Sequence, residues 1–253
     1  MARVLAFGAH PDDVEFQCAG TLALLAQRGH EIHIAVMAGG EYGSASLSEY
    51  EIRRKRLAEN AKSAKIIGAR FHYAGGHDGE IQYDSWYRKI TYRVLREVDP
   101  TIVFTHPPTD YMVDHEEMSR LVRNACFLAP VPNCDSQSAH ETTSGVPHLY
   151  YWNAMGLVDI FGRPLPLTNV VDISSVMDVK EQMLACHESQ REWLRHHHKM
   201  DAYIEEMRHN AQAQGQLVGR AAAEGFIQHL GHGYPTNDIL AEMLGDLCIR
   251  LRE

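Results

Sequence analysis

The hydrophobic positions of this chain fall into short unbroken runs, separated by longer stretches with helical spacing. Arg3 to Ala9 (RVLAFGA) is the first run, continuous rather than alternating, as a strand buried on both faces requires. Val14 to Arg28 follows with Leu22, Leu25 and Ala26 at helical spacing, which predicts an amphipathic helix. Glu31 to Ala38 reads as a second strand. Ser48 to Gly68 reads as a helix with an apolar face through Leu57, Ala61, Ala64 and Ile67, terminated by its glycine. Arg70 to Ala74 is a short third strand, and Trp86 to Val98 a helix stopped at Asp99-Pro100. Thr101 to Thr105 is a fourth buried strand, and the next helix runs through Glu116, Leu121, Val122 and Ala125. Strand and helix thus alternate four times. The expectation is an α/β fold: a Rossmann-like, doubly wound, mainly parallel sheet with right-handed crossovers and helices on both faces.

Beyond this the pattern loosens. Pro130 to Pro147 is polar and loop-like, long enough to act as a lid beside a cleft. His148 to Ala154 and Asn169 to Ile173 read as two further strands, and Met177 to Leu194 as an amphipathic helix. His196-His197-His198 reads as a solvated stretch, because three adjacent side chains fan around a helix and do not converge on one ion. Met200 to Arg252 reads as a helical extension with a Gly/Pro-rich turn and a closing helix from Asp238. No internal repeat or boundary divides the chain, so residues 1–253 are expected to form one domain.

Composition narrows the classes. A net charge of −9 without a long basic run argues against nucleic-acid binding. No apolar run approaches a membrane span, and Met1 leads straight into the first strand, so a cytoplasmic protein is expected. Five scattered cysteines with no CxxC pair suit reduced thiols better than a disulfide framework. Homo-oligomer formation stays open.

The chemistry concentrates where strands end. His10, Asp12 and Asp13, within AHPDDVE, crowd the turn after the first strand, where an open α/β sheet binds its ligands. One of these acids could simply cap the helix, but a cap needs only one. A divalent cation accounts for all three residues: an imidazole and one carboxylate coordinate it, and the second carboxylate stays free as a base. The fourth strand delivers a matching cluster, His106 to His115, containing Asp110, Tyr111, Asp114 and His115. Gly39 to Ser44, after the second strand, is no dinucleotide fingerprint. Of the basic run Arg53 to Arg56, one arginine aimed into the cleft would bind a substrate hydroxyl or phosphate. Asp78, in the turn Gly75 to Glu80, is a plausible ligand contact, and no HExxH occurs in the chain.

AHPDDVE with a later Asp-His pair resembles the PIG-L/LmbE family of zinc-dependent N-acetylglucosaminyl deacetylases and related amidases. Gly40-Glu41, Arg56 with Glu59, and Asp78-Gly79 resemble further family motifs, and the likeness extends over roughly residues 1–130. It implies that His10, Asp13 and His115 are the metal ligands and Asp12 the general base, while Asp114 orients an imidazole. Asp12 then deprotonates a zinc-activated water that attacks the acetamide carbonyl, and returns the proton to the leaving amine. Zn²⁺ or Fe²⁺ would both suit these ligands. Glu41, Arg56, Asp78, Tyr111, His148 and His187 are the candidate substrate-binding residues.

One departure stands out. Family members commonly place a histidine three residues before the last ligand, where it stabilises the oxyanion; here that position is Met112. A thioether donates no hydrogen bond, and losing such a donor typically costs about 10²–10³ in rate. Tyr111, His106, His148 and His187 are the candidate replacements. The leading expectation is an N-deacetylase acting on an amino-sugar conjugate. Its rivals are an amidase for bulkier amides, a catalytically silent metal- or sugar-binding homologue and, weakest, a nucleotide-binding protein.

Overall fold

The computed structural model describes residues 1–135, 138–191 and 202–251. The predicted alternation is present as β1 (Arg3–Gly8), α1 (Asp13–Gln27), β2 (Glu31–Ala38), α2 (Glu49–Ile66) and β3 (Arg70–Gly76). It continues with α3 (Ser85–Val98), β4 (Ile102–Thr105) and α4 (Val113–Leu128). Local chemistry sets several of these limits. Ser48 and Glu51 form a reciprocal capping box at the start of α2, and Asp84 accepts a hydrogen bond from Tyr87 N at the start of α3.

After α4 come β5 (His148–Trp152), β6 (Asn169–Asp172), α5 (Met177–Ala185), α6 (Ala202–Gln216), β7 (Ala223–Gln228), α7 (Ile239–Leu244) and β8 (Cys248–Arg250). All strands join one eight-stranded sheet in the order β3-β2-β1-β4-β5-β7-β6-β8. From β3 to β5 every pairing is parallel; β5–β7, β7–β6 and β6–β8 are antiparallel. The order reverses between β1 and β4, which makes that crevice the topological switch point.

Alternating side chains feed two cores. Val4, Ala6, Ile102 and Phe104 pack on one face with α1 and the carboxy-terminal helices; Leu5, Phe7 and Val103 pack on the other with α3 and α4. Among the described residues no helix is long and apolar enough to cross a membrane.

Several expectations are corrected. Helix α1 is buried on every side from Asp13 to Leu25, because α5 and α7 cover its outer surface. Where it meets Ile173, just past β6, a Cβ on Gly20 would stand 2.8 Å from Ile173 Cγ2, so the contact needs glycine. The carboxylate of buried Glu224 on β7 accepts from Gly20 N and Thr21 N, while Lys180 on α5 donates to Glu224 and to Phe16 O. In α2 the buried positions are Ile52, Arg56, Asn60, Ser63 and Ala64, so much of its inner face is polar; Leu57, Ala61 and Ile67 are only partly covered. The carboxy-terminal part is less helical than expected: β7 and β8 are strands. Their sequences, AEGFIQ and CIR, are too short or too interrupted by Glu and Gly to show a period.

The helix expected from Met177 ends at Ala185 and is resumed at 188, and its last residues, like His196–His198, lie outside the described residues. The described residues of the segment after α4 form no lid. Helix α4 returns the chain to the opposite edge of the sheet, where Arg96 donates to the carbonyls of Ala129, Val131 and Asp135, and Ser144 binds Asp99.

Candidate active site

The turn from β1 into α1 sits at the switch point and is held in an uncommon backbone conformation. Asp12 has φ of 106°, a left-handed geometry that an L-residue adopts at a cost of about 1–3 kcal/mol. Arg56 from α2 fixes it: Nη2 donates to Pro11 O at 2.7 Å and approaches Asp12 Oδ2 at 3.4 Å, while Nη1 donates to Gly40 O at 3.3 Å. A Cβ on Gly40 would lie 2.2 Å from that guanidinium, so a glycine is obligatory there.

One carboxylate and three imidazoles, Asp13 with His10, His106 and His115, converge on this turn. Asp13 Oδ2 accepts from His10 N at 2.7 Å and lies 3.1 Å from His106 Nε2. Its other oxygen, Oδ1, faces His115 Nε2 at 3.4 Å, and His10 Nδ1 stands 3.6 Å from Oδ2. The far nitrogen of each of these imidazoles meets a carboxylate. His10 Nε2 is 3.0 Å from Asp114 and 3.2 Å from Asp78; His115 Nδ1 is 3.2 Å from Asp110. Asp114 is in turn held by Gly79 N, and Asp78 by Tyr42 N.

Burial and charge act in opposite directions here. Burial alone would raise the Asp13 carboxyl, but the neighbouring His115 and His106 hold it well below the ordinary carboxylate range. Burial disfavours protonated His115, yet Asp13 and Asp110 raise it to about 9. Asp110 is drawn down to about 2 because hydrogen bonds from His106 and His115 outweigh its desolvation. Asp12 goes the other way: burial raises it, Arg56 opposes, and the charge of Asp13 adds to the rise.

Ligand atoms of His10, Asp13 and His115 lie within 4.8 Å of one another, all buried. Among the described residues two further groups bring ligand atoms as close, His106-Asp110-His115 and His10-Asp78-Asp114. Only the first opens fully on the cavity, of about 360 Å³, whose wall includes His10, Asp13 and His115 but not His106, Asp110 or Asp114. Two imidazoles and one carboxylate, each imidazole backed by a carboxylate, are a donor set that fits a borderline divalent cation with room for a further ligand.

The cavity wall also contains Asp12, Arg56, Asp78 and Tyr111, so most of the expected residues do meet. Others do not. Glu41 lies beneath, accepting from Asp78 N and Gly39 N at 3.2 Å, and braces the Asp78 turn instead of facing the cavity. His187 is fully buried behind Asp12, 3.5 Å from Glu15 Oε2. His148 is excluded outright: it begins β5, at the amino end of a parallel strand and hence the wrong edge of the sheet, and contacts Asn237 at 2.8 Å. Of the four candidates to replace the missing histidine, only Tyr111 reaches the cavity, its ring edge-on to His115. Met112 lines the wall beside it.

Two residues had no assigned role. Asp110 was readable in principle, four residues after His106 and five before His115 at one strand end. Tyr203 was not: it comes from α6, is buried, lines the cavity and donates to Asp12 Oδ2 at 2.6 Å.

Residues 5–126 match the PIG-L family profile, described as GlcNAc-PI de-N-acetylase. Diacetylchitobiose deacetylase of Thermococcus kodakarensis is 29% identical over 74% of this chain and 70% of its own length. A 4-oxalmesaconate hydratase of Pseudomonas putida is 26% identical over 72% of this chain and 71% of its own. Among solved structures, the N,N'-diacetylchitobiose deacetylase of Pyrococcus horikoshii shares the fold, with a TM-score of 0.77 and 23% identity over 94% of this chain and 88% of that one.

Proposed function

We propose that the chain is a metal-dependent enzyme of the PIG-L (LmbE-like) family and that it removes an N-acetyl group from an N-acetylglucosamine-type conjugate. The observation that carries this reading is a triad of His10, Asp13 and His115 facing a cavity beside a carboxylate, Asp12, that stands outside the triad. His10, Asp13 and His115 would hold the cation, and the donor set favours Zn²⁺, with Fe²⁺ as the nearest competitor. Bound there, it supplies Lewis acidity toward the amide carbonyl and acidifies water.

The protein's own groups do the rest. Asp12 takes a proton from the attacking water and delivers it to the departing amine nitrogen. Arg56 keeps the Asp12 turn in place through Pro11 and Gly40. Asp114, Asp78 and Asp110 fix the two imidazoles in orientation, so that each offers one chosen nitrogen toward Asp13. Tyr111, which lines the cavity edge-on to His115, would offer its hydroxyl to the developing oxyanion in the absence of a histidine at Met112.

Met112 also favours a second reading. Hydration of an activated double bond needs a base and a cation but no donor for a tetrahedral amide oxyanion, and a hydratase is among the relatives. The test offers zinc-loaded protein N,N'-diacetylchitobiose and, separately, 4-oxalmesaconate. Acetate release, lowered at least 10²-fold by Asp12→Asn with metal content unchanged, is the expected result. Consumption of the oxo acid without acetate release would transfer the assignment to hydration. Silence toward both, with zinc bound, would favour a binding homologue.

A further inference from the structure

We infer that Tyr203 is a positioning residue for the base: its hydroxyl pins one oxygen of Asp12, so that a single carboxylate oxygen is presented to the cavity. The inference rests on the base role proposed above for Asp12. Its geometry is specific. Tyr203 Oη donates to Asp12 Oδ2 at 2.6 Å, and the same oxygen is the one that Arg56 approaches at 3.4 Å. Both partners of Oδ2 are buried, and neither contact is made to Oδ1, which stays available for a water or an amine. The phenol ring is locked as well as its hydroxyl, because it packs against Phe16 with ring centroids 5.6 Å apart. Burial and the negative charge of Asp12 push the phenol well above its ordinary range, so Tyr203 stays a donor.

The arrangement matters because an unpinned carboxylate at the head of a helix turns about its χ2 angle and offers either oxygen. A base that must accept a proton from one side and return it to another gains from having only one oxygen in play. Tyr203 also ties the two parts of the molecule together at the reacting centre: Asp12 precedes α1, while Tyr203 follows α5 by almost twenty residues and sits on α6. Removing the hydroxyl leaves the ring and its packing intact, so Tyr203→Phe isolates the hydrogen bond.

The test pairs a structure with kinetics. Crystal structures of zinc-loaded wild type and Tyr203→Phe at matched resolution are expected to show one Asp12 rotamer in the first and two, or a rotated one, in the second. An unchanged single rotamer in the variant would overturn the inference whatever the substrate proves to be. With N,N'-diacetylchitobiose as probe, kcat should fall about tenfold or more while KM and zinc content stay within twofold. A KM rise at constant kcat would instead make Tyr203 a wall of the substrate site and end the inference. Failure of the base assignment reads out separately, since Asp12→Asn would then retain activity.

Discussion

The amino-terminal and carboxy-terminal parts of the sheet meet at one cavity but bring different things to it. The parallel part, β3 to β5 in the sheet order, supplies every group in the candidate cation site: His10 and Asp13 after β1, Asp78 after β3, and Asp110, Asp114 and His115 after β4. The carboxy-terminal part supplies walls, through Met155, Gln190 and Glu206, and one contact to the base, from Tyr203 to Asp12. The match to the PIG-L profile stops at residue 126, before all of these wall residues. Parallel strands bring chemistry-bearing turns to one edge by topology alone, so loops far apart in sequence converge without special contacts. The walls have no such constraint.

The most severe way to break this division is to remove Asp13. Asp13→Ala deletes one of the three cation-binding groups and also leaves His10 N without its acceptor. Metal content after dialysis should fall from stoichiometric to near zero, and turnover by more than about 10³. Retention of one tightly bound zinc per chain would move the cation to one of the other two clusters at this edge.

A smaller effect, on stability, is expected from the contact that seats α1 against the carboxy-terminal part. Lys180 and Glu224 are both essentially inaccessible and form a 2.6 Å ion pair inside the core. Lys180→Met leaves the Glu224 carboxylate buried with only two backbone donors and frees Phe16 O. The expected loss is about 3–5 kcal/mol in urea unfolding, typical of breaking one side of a buried pair. A loss below about 1 kcal/mol would mean that the two parts of the sheet hold together without it.

Most of the parallel part was legible because it rests on local signals. Continuous apolar runs marked β1, β2 and β4, Gly68 and Asp99-Pro100 marked helix ends, and the strand-end position of AHPDD marked the site. What escaped was long-range. Arg56 and Asn60 are buried in α2 because they meet the β1 turn, Asp12 and Glu15, and no helical periodicity records that. Glu224 disguises β7, since a buried acid in a short strand looks like a solvated one until Lys180 and α1 are placed around it. His148 misled for a related reason: its strand was found, but the direction of the strand relative to the site decides which end bears function.

The gentlest test lies at the far side of the antiparallel strands, in Asp238, which does not line the cavity. Its carboxylate caps α7 through Ala241 N and accepts from Tyr150 Oη at 3.0 Å, Asn169 Nδ2 at 2.7 Å and Arg250 Nε at 2.6 Å. Burial would raise this carboxyl, but these hydrogen bonds outweigh it and hold it below the ordinary range. A depressed folded-state pKa means that the unfolded chain binds the proton more readily. The contribution is therefore complete above the unfolded value of about 4 and is lost as pH falls through the folded one. Asp238→Asn should cost about 1–2 kcal/mol at neutral pH. The gap between variant and wild type should narrow below about pH 4, where wild type loses the same charge. Turnover and metal content should stay within twofold. If turnover fell with stability, the antiparallel strands would be setting more of the site than the Tyr203 contact to Asp12, and the separation of the cation-binding groups from the walls would no longer hold.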